Sequence, residues 1–337
     1  MRSFVLALPL VAAACTLQQV SRTSGANGTD DHMSHMSAAE LVAPPTRDLG
    51  PLQQGTAGIP ASNLTAQARL AASPRHGEWV KIPYEPGSSD SLMAWVVYPV
   101  SREKAPVVVV VHEIFGLATW VRGVADQVAA DGFIAVAPDF LSRVRGGPSN
   151  VELTGDSARK LIAGVNSTER NRVITAAANY GMMLPAATQK YGVIGYCWGG
   201  QTVFMHAVHG GVKGYGGGVA FYGLGYMTGG TPATATTAAV PATVMADSMA
   251  KIKAPVMLLN GSKDARIGAA MPSLDSMMKA MKKDYVGVNY DGAIHGFLRA
   301  QNDPRAQNRD EAEEAANLAA SKDGWPKTIA FLKKNLK

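Results

Sequence analysis

Tyr191-Gly-Val-Ile-Gly195-Tyr196-Cys197-Trp198-Gly199-Gly200 is the stretch whose reading decides the fold. An apolar run of strand length, Tyr191 to Tyr196, is followed by a cysteine framed by glycines, the pattern of a strand that turns sharply into a helix and exposes its central side chain. The glycines have a steric purpose. In such an elbow the strand and helix backbones come so close that a Cβ at the flanking positions would clash. A cysteine at this point sits at a helix N-terminus, where the dipole favours a thiolate and the amide of Trp198 faces an oxyanion on the group attacked. A free cysteine is more often a small buried hydrophobe. The glycine frame after an apolar strand favours a nucleophile.

Working outward, short runs rich in β-branched residues alternate with helical stretches from Glu78 onward. The expected strands are Trp79 to Pro83, Met93 to Tyr98, Val107 to His112, Phe133 to Ala137, Tyr191 to Tyr196, Gly218 to Tyr222, Val256 to Asn260 and Val286 to Tyr290. Several are apolar throughout rather than alternating, which indicates a parallel sheet buried on both faces. The helix after His112 carries Val121, Val124, Ala125, Val128 and Ala129 on one stripe, with Gly132 as terminator. Further helices are expected over Ser157 to Met183, after Cys197, over Ser273 to Lys283, and at the end, where Trp325, Ile329, Leu332 and Leu336 recur at helical spacing and Pro326 suits a first turn. The segment from Met227 to Ala246 is nearly all Gly, Thr, Ala and Pro and reads as a surface insertion or lid, or as disorder without function.

A thiolate in acyl transfer needs a base that later serves as an acid, in practice a histidine oriented by a carboxylate. Position thins the seven histidines. His32 and His35 precede the periodic region, His76 lies at its edge, His206 and His209 follow Cys197 along its helix, and His112 ends a strand upstream of the cysteine. His295 remains, in a loop after the last strand. Asp264, just after the apolar strand Val256 to Asn260, falls on the same side of the sheet. The order Cys197, Asp264, His295 matches the nucleophile, acid, histidine order of α/β-hydrolases. The plainer readings are a turn residue for Asp264 and a backbone-satisfied loop residue for His295.

Five separate motifs, Val111-His112-Glu113-Ile114-Phe115-Gly116, Ala137-Pro138-Asp139, Gly195-Tyr196-Cys197-Trp198-Gly199-Gly200, Gly261-Ser-Lys-Asp264 and His295-Gly296-Phe297, make the chain resemble the dienelactone hydrolase family over most of residues 78 to 337. The resemblance implies an α/β-hydrolase fold, with a mostly parallel sheet of about eight strands and helices on both faces. It also implies the opening of enol-lactones or related esters by Cys197, His295 and Asp264, with no cofactor and no metal. It gives Glu113 a part in forming the thiolate when substrate binds and adds the amide of Ile114 to that of Trp198 in an oxyanion hole. Arg143 and Arg299 fall at the offsets of the arginines that hold a substrate carboxylate in the family; two solvated surface arginines are the bland alternative. The chain departs from the family's best-known members in its amino-terminal region, in the 227–246 insertion and in the bulky Trp198 beside the cysteine, which bears on the substrate more than on the chemistry.

Met1-Arg-Ser followed by the apolar run Phe4 to Ala14 has the charged start and short hydrophobic region of an export signal. It is too short to span a bilayer. Small residues directly before Cys15 resemble a bacterial lipobox, though Ala12 stands where such boxes usually carry Leu. Residues 1–15 are therefore expected to be a signal peptide or lipoprotein signal, and the protein to be exported, periplasmic or held at the outer membrane by lipid on Cys15. Residues 16–75 are rich in Ser, Thr, Gly, Ala, Pro and Gln and read as a flexible tether to a hydrolase domain spanning 76–337. Within that tether, imidazole and thioether groups at His32, His35 and Met36 are suitable soft-metal ligands but read as solvated.

The whole chain has 337 residues, 47% hydrophobic and 17% charged, enough for a large core. Its net charge of +6 is spread rather than blocked, which leaves a nucleic-acid partner little to bind. Two cysteines exclude a disulfide scaffold and a four-thiolate metal site. The expected partner is a small lactone or ester, with a carboxylate implied by the resemblance. A general acyl esterase on the same residues and a non-catalytic envelope binding protein stay open as alternatives.

Overall fold

The computed structural model describes residues 55–149, 155–231, 233–303 and 310–337. The expected signal, Cys15 and the tether up to residue 54 lie outside the described residues. In chain order the elements are α1 (Ala66–Ala71), β1 (Gly77–Pro83), β2 (Ser91–Val97), β3 (Ala105–Val111), α2 (Thr119–Ala130), β4 (Ile134–Pro138), α3 (Ser142–Arg145), α4 (Gly155–Ile162), α5 (Ser167–Met183), β5 (Ala187–Tyr196), α6 (Trp198–His209), β6 (Tyr215–Phe221), β7 (Met227–Thr228), β8 (Thr243–Val244), α7 (Ala246–Lys251), β9 (Val256–Gly261), α8 (Ala265–Ala280), β10 (Tyr285–Tyr290), α9 (Phe297–Ala300) and α10 (Glu311–Asn335).

Eight strands form one sheet in the order β1-β2-β4-β3-β5-β6-β9-β10. β2 runs antiparallel to both β1 and β4, and the other pairs are parallel. The all-apolar run Val107 to Val111 is wholly buried, as expected of a central strand covered on both faces. Each of those valines contributes roughly 1.5–3 kcal/mol by leaving water. Because β3 lies between β4 and β5, the chain leaves β3 toward one side of the sheet and returns on the other. That reversal opens a crevice at the carboxyl ends of the strands, the usual place for a ligand in such sheets.

Four boundaries differ from those the sequence suggests. The helical region Ser157 to Met183 is two helices, because the Asn166 side chain accepts from the amide of Glu169 at 2.9 Å and starts α5 afresh. α8 begins at Ala265, well before Ser273, since Asp264 caps it and Pro272 is accommodated inside the helix. Pro326 likewise sits inside α10, which starts at Glu311 behind an Asp310 cap, not in a first turn. The fourth difference is the largest. Residues 55–75 are not free tether: Ile59, Ala61, Ser62 and Ala66 are buried, and the segment is packed on the sheet domain. The indole of Trp120 donates to the carbonyl of Ala61 at 3.0 Å, Ser62 Oγ donates to Asp303 at 2.7 Å, and the amide of Asn63 donates to the carbonyl of Arg299 at 2.9 Å. The folded unit therefore starts before residue 76.

The 227–246 insertion is not structureless. β7 pairs with β8, Thr231 bridges to Val240, and Arg266 Nε on α8 donates to the carbonyl of Gly229 at 3.1 Å. Residues 233–239 form its exposed end.

Candidate active site

Six parallel strands end on one edge of the sheet, and the loops that follow them carry the chemistry. Glu113 follows β3, Asp139 follows β4, Cys197 follows β5, Tyr222 follows β6, Asp264 follows β9 and His295 follows β10.

Cys197 is the turning point of the elbow, at φ 55 and ψ −116. A non-glycine residue held at positive φ stores about 1–3 kcal/mol, and the surroundings must hold it there. Two neighbours show how. A Cβ on Gly195 would lie 2.1 Å from the carbonyl oxygen of Gly199, and one on Gly199 would lie 2.4 Å from the carbonyl oxygen of Val111. Only glycine at both positions lets β5, α6 and the end of β3 meet this closely. The amide of Cys197 donates to Phe221 at 3.0 Å, and the amide of Trp198 is directed at the sulfur.

His295 Nδ1 lies 2.6 Å from Asp264 Oδ2. The other carboxylate oxygen of Asp264 accepts from the amide of Ile267 at 3.2 Å, so one side chain both caps α8 and fixes the imidazole. The two loops are tied together by the Lys263 amide on the carbonyl of Ala293 at 3.0 Å, and Asn317 of α10 holds the amide of Ile294 at 3.0 Å. On its far side the imidazole is electrostatically coupled to Cys197. The three side chains expected to act together thus form one continuous line, all buried. Burial pushes the Cys197 thiol up, an effect the Glu113 charge adds to and His295 opposes. For His295, burial disfavours the imidazolium, but the charge of a Cys197 thiolate, once formed, and that of Asp264 outweigh it and raise the ring well above its ordinary value. Such a line can move a proton from sulfur to imidazole and on to a departing oxygen.

Glu113 is buried beside this line, with Oε2 3.4 Å from Arg299 Nε and both side chains only 4% exposed. Arg299 also lies 4.8 Å from the ring of Phe115. It is therefore not a solvated surface arginine. Arg143 is different: it is 47% exposed, lies 3.3 Å from Asp90 and 3.5 Å from Glu169, and packs over Tyr84 at 5.4 Å. None of these partners belongs to the Cys197 cluster, so the expected pair of converging arginines reduces to Arg299. Asp90 on the β1–β2 hairpin and Glu169 at the start of α5 claim the Arg143 guanidinium.

Ile114, the next residue of the same loop, is buried. Trp198 does not project freely beside the cysteine. Its ring stacks on His112 with centroids 5.9 Å apart, meets Phe140 edge-on at 5.1 Å, and carries the Arg170 guanidinium at 4.2 Å. Arg170 in turn donates to Gln201 at 3.2 Å. His112 is held down below its ordinary pKa by burial and has both ring nitrogens engaged, one on the carbonyl of Glu113 and one accepting from the amide of Phe140. Sequence reasoning missed Tyr222, Arg170 and the packed strap before residue 76. For Tyr222 the signal was available, since it stands at the carboxyl end of a parallel strand.

The dienelactone hydrolase family is matched over residues 92–336. The chain belongs to that family. A dienelactone hydrolase has the α/β-hydrolase fold and acts on ester or lactone bonds, and the eight-stranded sheet above is that architecture. Among relatives, a Synechocystis protein named "Putative carboxymethylenebutenolidase" is 29% identical over 262 residues, covering 75% of this chain and 95% of that protein. A Bradyrhizobium protein named "Probable 2-oxo-3-(5-oxofuran-2-ylidene)propanoate lactonase" is 25% identical over 264 residues, 77% of this chain and 94% of its own length. Among solved structures, "Putative Dienelactone Hydrolase" from Klebsiella pneumoniae superposes with a TM-score of 0.59 at 24% identity, over 77% of this chain and 99% of that one. This last likeness concerns the fold of dienelactone hydrolases alone.

Proposed function

We propose that the protein is an exported thiol hydrolase that opens a lactone or small ester through Cys197, His295 and Asp264. The observation that carries this reading is the 2.6 Å contact of His295 with Asp264, on an imidazole electrostatically coupled to a cysteine in a strained elbow. His295 takes the thiol proton as the sulfur attacks the acyl carbon. The carbonyl electron pair moves to its oxygen, which the amides of Trp198 and Ile114 receive. The adduct then collapses, the carbonyl re-forms, and the departing oxygen takes the proton from His295. Water, deprotonated by the same imidazole, hydrolyses the thioester and restores the thiol.

We assign the contact to a substrate carboxylate to Arg299 and not to Arg143. A carboxylate arriving at Arg299 competes with Glu113 for the guanidinium and frees Glu113 to assist removal of the thiol proton. Until then the buried thiol stays neutral and less open to oxidation. A carboxylate-bearing lactone is the substrate class this favours. The relative named for a propanoate lactonase, a carboxylate-bearing lactone by that name, is consistent with it.

Export rests on the first fifteen residues and their Cys15, with the lipid-anchored form preferred over a free periplasmic one. Hydrolysis of acidic and neutral lactones and esters by the wild type, beside Cys197→Ala and Arg299→Ala, tests the chemistry. Loss of roughly 10³-fold or more is expected for Cys197→Ala on every substrate. Arg299→Ala should lose preferentially on acidic substrates. Equal rates for wild type and Cys197→Ala would end the thiol reading. Incorporation of labelled palmitate into the wild type but not into Cys15→Ser tests the anchor, and no label in either removes it.

A further inference from the structure

Tyr222 is the first residue after β6, and its backbone is held in the left-handed region at φ 37. For a bulky side chain that conformation is an outlier and persists only where neighbours enforce it. Here the enforcing contact is to the adjacent strand: the Tyr222 amide donates to the carbonyl of Leu259 at 2.7 Å. The ring is fully buried, 5.0 Å from the imidazole of His295 and 5.5 Å from Phe297, which it meets edge-on. Its hydroxyl has no hydrogen-bond partner among the described residues. A buried hydroxyl left in that state is costly unless something else completes it.

The groups whose charges reach this hydroxyl are Glu113, Tyr196, Cys197 and Arg299. Of these, Glu113, Cys197 and Arg299 belong to the site itself. Burial raises its pKa well above the ordinary tyrosine value, so it remains an O–H donor. Tyr196 provides a contrast. Its hydroxyl is also buried and unpartnered, but its ring packs on Trp120 at 5.0 Å and of the site's charges only that of Glu113 reaches it.

We propose that Tyr222 is a further catalytic residue, whose hydroxyl donates a hydrogen bond to the departing oxygen of the substrate as the acyl–oxygen bond breaks. The inference rests on the thiol-hydrolase reading. Two backbone amides, of Ile114 and Trp198, already serve the carbonyl oxygen. The departing oxygen must lie beside His295, which protonates it, and Tyr222 is the hydroxyl packed against that ring. In the step, the C–O bond pair passes to the departing oxygen, the carbonyl of the thioester re-forms, and the proton comes from the His295 imidazolium. Tyr222 keeps its own proton throughout and stabilises the negative charge before the transfer is complete.

The test uses the full chain carrying Tyr222→Phe and a series of esters with one acyl group and leaving alcohols from p-nitrophenol to simple alkanols. Acylation is followed as the single-turnover release of alcohol. The expected result is a loss of about 100-fold for alkyl esters, as for removal of one preorganised donor, shrinking toward none for p-nitrophenyl, with deacylation unchanged and Tm no lower than that of the wild type. A purely packing role would slow every ester alike. A uniform loss, or no loss at all, in an enzyme whose turnover depends on Cys197 overturns the role of Tyr222 alone. Retained turnover in Cys197→Ala overturns both the role and the reading beneath it.

Discussion

His112 Nδ1 lies 2.5 Å from the carbonyl oxygen of Glu113, and the far nitrogen of the same ring accepts from the amide of Phe140 at 3.1 Å. In a trans peptide the carbonyl and the following N–H point in opposite directions. An imidazole that holds the Glu113 carbonyl therefore turns the Ile114 amide away from itself and fixes its orientation. If that amide receives the oxyanion, His112→Ala should lower kcat by up to about 100-fold, the upper range set by loss of one donor. KM should change little, and His112→Asn, which keeps a donor near the Nδ1 position, should recover part of the loss. Unchanged kcat in His112→Ala would separate this ring from the reaction.

The charges around sulfur make opposite demands on the thiol. Glu113 raises the Cys197 pKa and His295 lowers it. The pH midpoint for inactivation by iodoacetamide, which reads the thiolate, should therefore move down in Glu113→Gln and up in His295→Gln. Midpoints shifting in the same direction for both variants would contradict this arrangement.

Asp264 has two tasks that one substitution can separate. Asparagine still accepts from the Ile267 amide, so Asp264→Asn should keep the α8 cap and unfold within a few tenths of a kcal/mol of wild type. It loses the charge that supports an imidazolium, and kcat should fall by about 10⁴-fold. Asp264→Ala should show the same loss of rate plus about 1 kcal/mol of destabilisation in urea. Equal stabilities for the two variants would deny the capping role.

A second histidine, away from the site, makes the fold sensitive to acid. His206 is buried, with Nε2 2.8 Å from the hydroxyl of Tyr191 and Nδ1 2.8 Å from Asn171 Oδ1, and burial followed by the His209 charge pushes its pKa down to about 3. The unfolded chain takes up this proton near pH 6.5. Stability from the neutral ring is thus complete above pH 6.5 and declines as pH falls toward 3. Between pH 7 and pH 5 the loss should be about 2 kcal/mol. Urea denaturation at both pH values should show that extra loss in the wild type and not in His206→Gln; identical pH slopes would refute it.

The glycine frame made Cys197 legible because steric exclusion acts on adjacent residues and needs no knowledge of distant ones. Asp264 and His295 were legible for a related reason: parallel strands end on one edge, so residues just after two such strands share that edge. Arg143 was not. Its loop position was readable, but the competition from Asp90 and Glu169 for its charge depends on the path of a hairpin fifty residues earlier. The strap was hidden by its composition, since small and polar residues read as unstructured. What orders it is a set of partners about 240 residues away, such as Asp303 for Ser62. Pro326 misled in the other direction, because a proline that suits a first turn stands instead inside α10, which starts at Glu311.

The docking of residues 59–64 onto Arg299, Gln301 and Asp303 has a practical consequence. A recombinant chain begun at Gly77, the first residue of the sheet, would retain every candidate catalytic side chain and still lack the backing of the loop that carries Arg299. Such a trimmed enzyme should express with a lower Tm and lose discrimination between acidic and neutral substrates before it loses turnover. Residues 55–64 should therefore be kept in any trimmed form used to measure substrate preference.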